Sequence, residues 1–160
     1  MSQLQLKWHS EPDGESVTGT ALNVSPGIFP VIVNKVNYPA GVFPDGKYAR
    51  DPSVSSAFRN AKPGGAIQLF ATGLTAEPAG VLPTPFGVSS VTVTIGGVTV
   101  PADFAGLVAA GEFQINFTVP QQFATRPVGN YPISISVNGV SSPATINTSP
   151  PGPLVIPIQP

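Results

Sequence analysis

Apolar and hydroxyl-bearing residues alternate strictly in two stretches of this chain that read almost alike. One runs Val91-Thr-Val-Thr-Ile95, then Gly96-Gly97, then Val98-Thr-Val-Pro101-Ala102. The other runs Ile133-Ser-Ile-Ser-Val137, then Asn138-Gly139, then Val140-Ser-Ser-Pro143-Ala144. A period of two marks a strand with one buried and one wet face. Gly-Gly and Asn-Gly supply the positive φ angles of a two-residue type I′ turn. Each stretch is therefore predicted to be a β-hairpin, with Ile95 opposite Val98, Thr94 opposite Thr99 and Val93 opposite Val100. In the second, Ile133, Ile135, Val137 and Val140 share the apolar face, and Ser134, Ser136 and Ser141 the hydroxyl face. Pro101 and Pro143 are expected to stop the returning strands, since proline donates nothing to a ladder.

The same pattern extends to further strands at Ala66–Ala71, Ser90–Ile95, Val98–Val100, Gly111–Val119, Gly129–Val137 and Val140–Ile146. Phe113, Ile115, Phe117 and Val119 alternate with Gln, Asn and Thr, which predicts a central, aromatic core strand. No window has a period of 3.6; the best helical candidate is one turn over Gln121–Ala124. Residues 20–60 read as small strands or a hairpin with tight turns, and Leu4–Trp8 as one strand. The 17 glycines and 20 prolines punctuate the chain at roughly 8–12-residue intervals, which suits a sandwich or barrel. Ser149–Pro160 is rich in proline and reads as an extended tail, although Leu154, Val155, Ile156 and Ile158 are too apolar for a bare linker. The expected organisation is an N-terminal strand and hairpin extension at 1–61, a sandwich at 62–148 and the tail at 149–160.

Composition narrows the functional classes. The 160 residues are 41% hydrophobic but only 9% charged, against roughly 25% charged in an average globular protein. Solubility then rests on Ser, Thr, Asn and Gln. The net charge of −1 offers no basic patch, so nucleic acid is not an expected partner. The chain has no cysteine, which removes disulfides, thiolate catalysis and Cys-based zinc sites. No segment of about 20 apolar residues is present, so no membrane insertion is expected. Met1–Trp8 holds no apolar signal core; the chain is read either as intracellular or as a processed piece of a longer protein.

With these motifs in place, residues 25–146 resemble the uncharacterised C-terminal domain of large secreted acidobacterial (Solibacter-type) proteins. The matching pieces are Ser25-Pro-Gly-Ile-Phe29, the Asp45-Gly46 turn, Pro63-Gly64, Ile67 through Leu74, Val91–Ala102, Phe113–Pro120 and Gly129–Val140. The second half is also similar to transcription-factor- and plexin-type (IPT/TIG) immunoglobulin-like domains, where a Gly-Leu near the first strand and a strand-Gly-Gly-strand hairpin recur. The resemblance implies an all-β fold, an immunoglobulin-like antiparallel β-sandwich, in a secreted or cell-surface bacterial protein. It implies no activity.

Sites for chemistry are sparse. His9 is the single histidine, so a Ser-His-acid triad would have to use it; a surface or strand-edge histidine is the simpler expectation. Glu11, Asp13 and Glu15, or Asp45 and Asp51, could present oxygen ligands to Ca²⁺, but neither stretch has the density of an EF-hand loop. Asp103 and Glu112 are the scattered acids a glycosidase would need to bring together. Gly64-Gly65 and Gly96-Gly97 lack the strand–loop–helix setting of a phosphate loop. Lys35 and Lys47 are the lysines considered for a Lys–Asn isopeptide crosslink, which requires a buried lysine. Trp8, Tyr38 and Tyr48 form a candidate sugar platform, against the simpler expectation of partial burial.

The resulting expectation is a non-enzymatic structural or adhesive module, with no cofactor and no metal, whose partners are other protein domains or copies of itself. Two alternatives stand beside it. One is a subunit of an extracellular fibre that assembles by strand addition through Leu154, Val155, Ile156 and Ile158. The other is a carbohydrate-binding module using Trp8, Tyr38 and Tyr48.

Overall fold

A computed structural model describes residues 5–9, 16–20, 24–75 and 86–160. The described residues are all-β, with one 3₁₀ turn among them at Gln121–Thr125, where the single helical turn is expected. Three long strands form the middle of the larger sheet. They are β9 (Ala66–Thr72), β13 (Phe104–Ala109) and β14 (Glu112–Thr118), in the order β13-β14-β9. Strand β14 is central as its pattern predicts: Phe113, Ile115 and Phe117 are buried, and they lie opposite Ala71, Leu69 and Ile67 of β9.

The second sheet contains both echoed hairpins. Strands β11 (Val91–Ile95) and β12 (Val98–Pro101) pair in the predicted register, Ile95 with Val98 and Val93 with Val100. Strands β15 (Gly129–Val137) and β16 (Val140–Ser141) form the second hairpin. Both turns take positive φ at both central residues, Gly96 and Gly97 in one and Asn138 and Gly139 in the other. The two hairpins are also direct neighbours, since β11 runs antiparallel to β15 with Val93 opposite Ile135. Their apolar faces therefore merge. Val91, Val93, Ile95, Ile133, Ile135 and Val137 share one buried cluster with Ile67, Leu69, Leu107, Phe113, Ile115 and Phe117 of the other sheet. Two sheets over one core make a sandwich.

Short strands from the first third of the chain join the larger sheet. These are β3 (Gly27–Ile28), β6 (Gly41–Val42), β7 (Tyr48–Ala49) and β8 (Phe58–Arg59). Strands β3 and β6 pair with β9, and β7 and β8 continue outward from β6. These four strands thus extend the sheet itself. Two small hairpins stand apart from it in pairing: β1 (Gln5–His9) with β2 (Ser16–Thr20), and β4 (Pro30–Val33) with β5 (Val36–Pro39). Strand β10 (Phe86–Gly87) pairs with β13 at the sheet's far edge. Gly73, just past β9, is required by sterics. Its φ is +72°, and a Cβ there would run into the Ser25 carbonyl oxygen.

Two expectations are corrected and one unannounced strand is added. Phe104–Ala109 is a strand that its sequence, Phe-Ala-Gly-Leu-Val-Ala, does not announce by alternation; Ala105, Gly106 and Leu107 are buried in succession. The strand expected over Val140–Ile146 ends at Ser141. The proline-rich tail is not free. Val155–Ile158 is strand β17, antiparallel to the first half of β15, and Leu154, Ile156 and Ile158 are core residues. Pro157 does not break it, because its carbonyl, which needs no N–H, accepts from Ala61 N at 2.8 Å.

Candidate functional site

The most elaborate local construction is the seat of β17. On one side β15 pairs with it from Gly129↔Ile158 to Pro132↔Val155. On the other side Ala61 forms a parallel bridge to Ile158, donating to Pro157 O and accepting from Gln159 N at 2.9 Å. Apolar burial and amide side chains then fix its ends. Asn37 is buried, and its Nδ2 donates to Pro150 O at 3.1 Å while its Oδ1 accepts from Thr148 Oγ1 at 2.9 Å. Asn60 Nδ2 donates to Gln159 Oε1 at 3.3 Å. A buried carboxamide with both ends bonded escapes the desolvation penalty of an unpaired polar group. Leu154, Val155, Ile156 and Ile158, the candidate assembly segment, thus lie within the chain's own sandwich.

Two clefts flank this strand and share Asn130. One, of about 240 Å³, is lined by Asp51, Pro52, Asn60 and Pro157; the other, of about 310 Å³, by Lys35, Asn37 and the prolines at 150, 151 and 153. Proline rings and amides make up half of the lining residues. Asp51 spends one oxygen on Ser53 N at 2.9 Å, and that backbone N–H holds its carboxyl below the usual range.

A second construction lies at the β7–β8 edge. The Arg50 guanidinium lies 4.6 Å from the Tyr48 ring and 5.2 Å from that of Phe58, and the two rings meet edge-on at 6.2 Å. Arg50 Nε is buried there with no hydrogen-bond partner among the described residues, and desolvation pulls its pKa down. The Arg59 guanidinium carbon lies over the Phe43 ring, 3.5 Å from its centre, and Arg59 pairs with Asp45 at 3.0 Å. The arginines thus act as ring-covering groups. Asp45 also accepts from Lys47 N, which is the main cause of its lowered pKa.

The sugar platform is not assembled by the described residues. Tyr38 is only 2% exposed. Burial, then the nearby Asp51 charge, raises its pKa, with a hydrogen bond to the Asp51 backbone opposing. Tyr48 is 39% exposed on its cationic neighbour. Trp8 and His9 lie in β1, whose side chains are outside the described residues, as are Glu11, Asp13 and Glu15. Lys35 and Lys47 are both exposed, so neither meets the burial an isopeptide crosslink demands. Asp103 accepts from Thr118 Oγ1 at 2.9 Å and is thereby tied to β14. Among the described residues no group of three or more His, Cys, Asp or Glu converges, and no helix is long and apolar enough to cross a membrane.

The seat of β17 is hidden from the sequence pattern because its partners, Asn37, Ala61 and β15, lie far from it along the chain. The one available signal is the apolar alternation Leu154, Ile156, Ile158 inside a proline run. Comparison with family models, curated proteins and solved structures finds no match to this chain.

Proposed function

We propose that this chain is a structural or adhesive immunoglobulin-like module of a secreted or cell-surface bacterial protein, acting through protein contacts rather than catalysis. The observation that carries the reading is topological. Strand order β13-β14-β9 over β12-β11-β15-β16 corresponds to D-E-B over C′-C-F-G of the immunoglobulin sandwich. In that correspondence β17 completes strand G, and Ala61, just ahead of β9, gives it a parallel bridge on its other side. Tyr131 adds support. It opens strand F after the 3₁₀ turn, and its hydroxyl donates to Pro127 O at 2.6 Å, as a tyrosine corner does.

The resemblance to secreted acidobacterial C-terminal domains points the same way. So does the uncharged outer face of the second sheet, where Thr92, Thr94, Thr99, Ser134, Ser136 and Ser141 stand in cross-strand rows. Thr94 and Thr99 bond to each other there at 2.8 Å. Asn37, Asn60 and Gln159 around β17 are engaged in holding the fold, which suits a scaffold.

The test is to immobilise the purified chain and challenge it with soluble copies of itself and, separately, to measure its retention on cellulose and chitin. Saturable self-binding, with no retention on either polymer, is the expected result. Retention on a polysaccharide, lost in Tyr48→Ala, replaces this reading with the carbohydrate-binding one. Turnover of an ester, peptide or glycoside substrate overturns it.

A further inference from the structure

We infer that β17 is exchangeable between copies of this chain, residues 154–158 of one copy filling the seat between β15 and Ala61 of another. This rests on the reading above, in which the chain's partners include itself, and it names the surface and the occupant. The seat already displays its ligand. Leu154, Ile156 and Ile158 are buried in it, and an identical segment from a second copy makes identical contacts. Complementarity therefore exists without any new interface having to be built.

What decides between the closed and exchanged forms is the connector. Residues 142–154 join β16 to β17 and include prolines at 143, 150, 151 and 153. In extended polyproline geometry, at ~3.1 Å per residue, this stretch reaches about 40 Å. That is ample for a neighbour in contact. In the closed form the connector is folded back and held by the Ile146–Gly152 bridge, whose two backbone bonds are 2.9 and 3.2 Å. Proline stiffens the connector against that fold and so lowers the local concentration of β17 at its own seat.

A tether of this kind supplies an effective concentration of roughly millimolar order, so crowded chains compete with it. The net charge of −1 opposes association little. The amide clamp Asn60–Gln159 would re-form between copies and set the register.

Because the chain has no cysteine, one introduced pair reports the exchange cleanly. Pro132 and Val155 are register partners, and antiparallel neighbours about 4.5–5.5 Å apart at Cα admit a disulfide. The Pro132→Cys/Val155→Cys chain is unfolded in urea, refolded at roughly millimolar concentration and then oxidised. The expected product is a set of interchain-linked dimers and larger species on a non-reducing gel. The same chain oxidised while dilute should be locked as an intrachain-linked monomer and lose the ability to form multimers when concentrated.

Intrachain links alone at every concentration overturn the inference. So does a locked chain that multimerises as readily as the reduced one, but that result leaves the self-associating structural reading standing. A reduced chain that stays monomeric under all conditions removes both. If the pair fails to fold by circular dichroism, Asn130→Cys/Pro157→Cys, also register partners, carries the same test. Native mass spectrometry of two isotopically distinct wild-type populations, refolded together, gives an independent readout: mixed dimers are expected, and their absence counts against exchange.

Discussion

The hairpins β11–β12 and β15–β16 share a pattern and a turn, yet they continue differently. In the first, the ladder runs on past Val93–Val100 and Thr92–Pro101 to the bond from Ala102 N to Val91 O at 2.9 Å. In the second it stops after Ser136–Ser141. At the next position Ser142 N still donates to Ile135 O at 2.8 Å, but Ile135 N donates to the Ser142 hydroxyl at 3.0 Å instead of to its carbonyl. The backbone is thereby released to turn toward Pro143. The vacated flank of β15 is then taken by β17, with Ile133 N bonding Leu154 O at 2.9 Å. A local repeat thus sets strand and turn, while one side-chain oxygen at the end of the ladder determines which segment completes the sheet.

The comparison can be broken most forcefully at β17. Ile156 is fully buried and Val140 is 39% exposed, although both are apolar residues beside β15. Ile156→Ala should destabilise the fold by about 2–5 kcal/mol in urea unfolding. Val140→Ala should change it by less than about 0.5 kcal/mol. Equal effects would mean that β17 is no part of the core. Deleting residues 149–160 should likewise reduce folding itself and not only assembly.

The turns come next. Gly96 and Asn138 hold equivalent positions with φ of 50° each, but a Cβ on Gly96 would lie 2.8 Å from the Tyr131 ring. Gly96→Ala should therefore lower stability by about 1–3 kcal/mol, whereas Asn138→Gly should stay within about 0.5 kcal/mol. Similar melting temperatures for the two variants would show that the turns are interchangeable. The ladder's end offers a comparable handle. Ser142→Ala leaves the Ile135 N–H buried without its acceptor and should cost about 1–3 kcal/mol. Thr99→Ala removes only an exposed hydroxyl pair and should cost less than about 1 kcal/mol.

Acid provides the smallest effect and locates it elsewhere. Neither hairpin carries a carboxylate, so an acid-dependent loss should report the β6–β8 edge. Asp45 has a folded pKa below its unfolded one, chiefly through the Lys47 N–H. Its contribution is complete above the unfolded value of about 3.9 and disappears as pH falls through the folded value. Asp45→Asn should lower the melting temperature slightly at neutral pH, change it little in acid, and so flatten its fall below about pH 4.

What is legible in the sequence follows the range of the interaction. The hairpin registers, the turn conformations and the aromatic β14 are all written in residues next to one another, because strand alternation and type I′ turns are local rules. Strand β13 is illegible because it buries Ala105, Gly106 and Leu107 in succession, without alternation. Strand β17 is masked by prolines whose carbonyls still pair. The depth of Tyr38 is equally hidden, because its burial depends on neighbours such as Asp51 that the hairpin sequence does not reveal. Several contacts that seat β17 join positions about a hundred residues apart, as in the 99-residue separation of Asn60 and Gln159. No local pattern encodes such a pair.

The parallel bridge between Ala61 and β17 also has a mechanical meaning. Tension entering the chain upstream of Ala61 and leaving downstream of Ile158 pulls these two segments in opposite directions along their length. The bonds from Ala61 N to Pro157 O and from Gln159 N to Ala61 O then lie across the direction of pull and are strained together, as in shear. The antiparallel tip of β15–β16, pulled from its open end, would instead unzip bond by bond. A module strung between a surface and its partner would therefore resist extension first at the seat of its last strand.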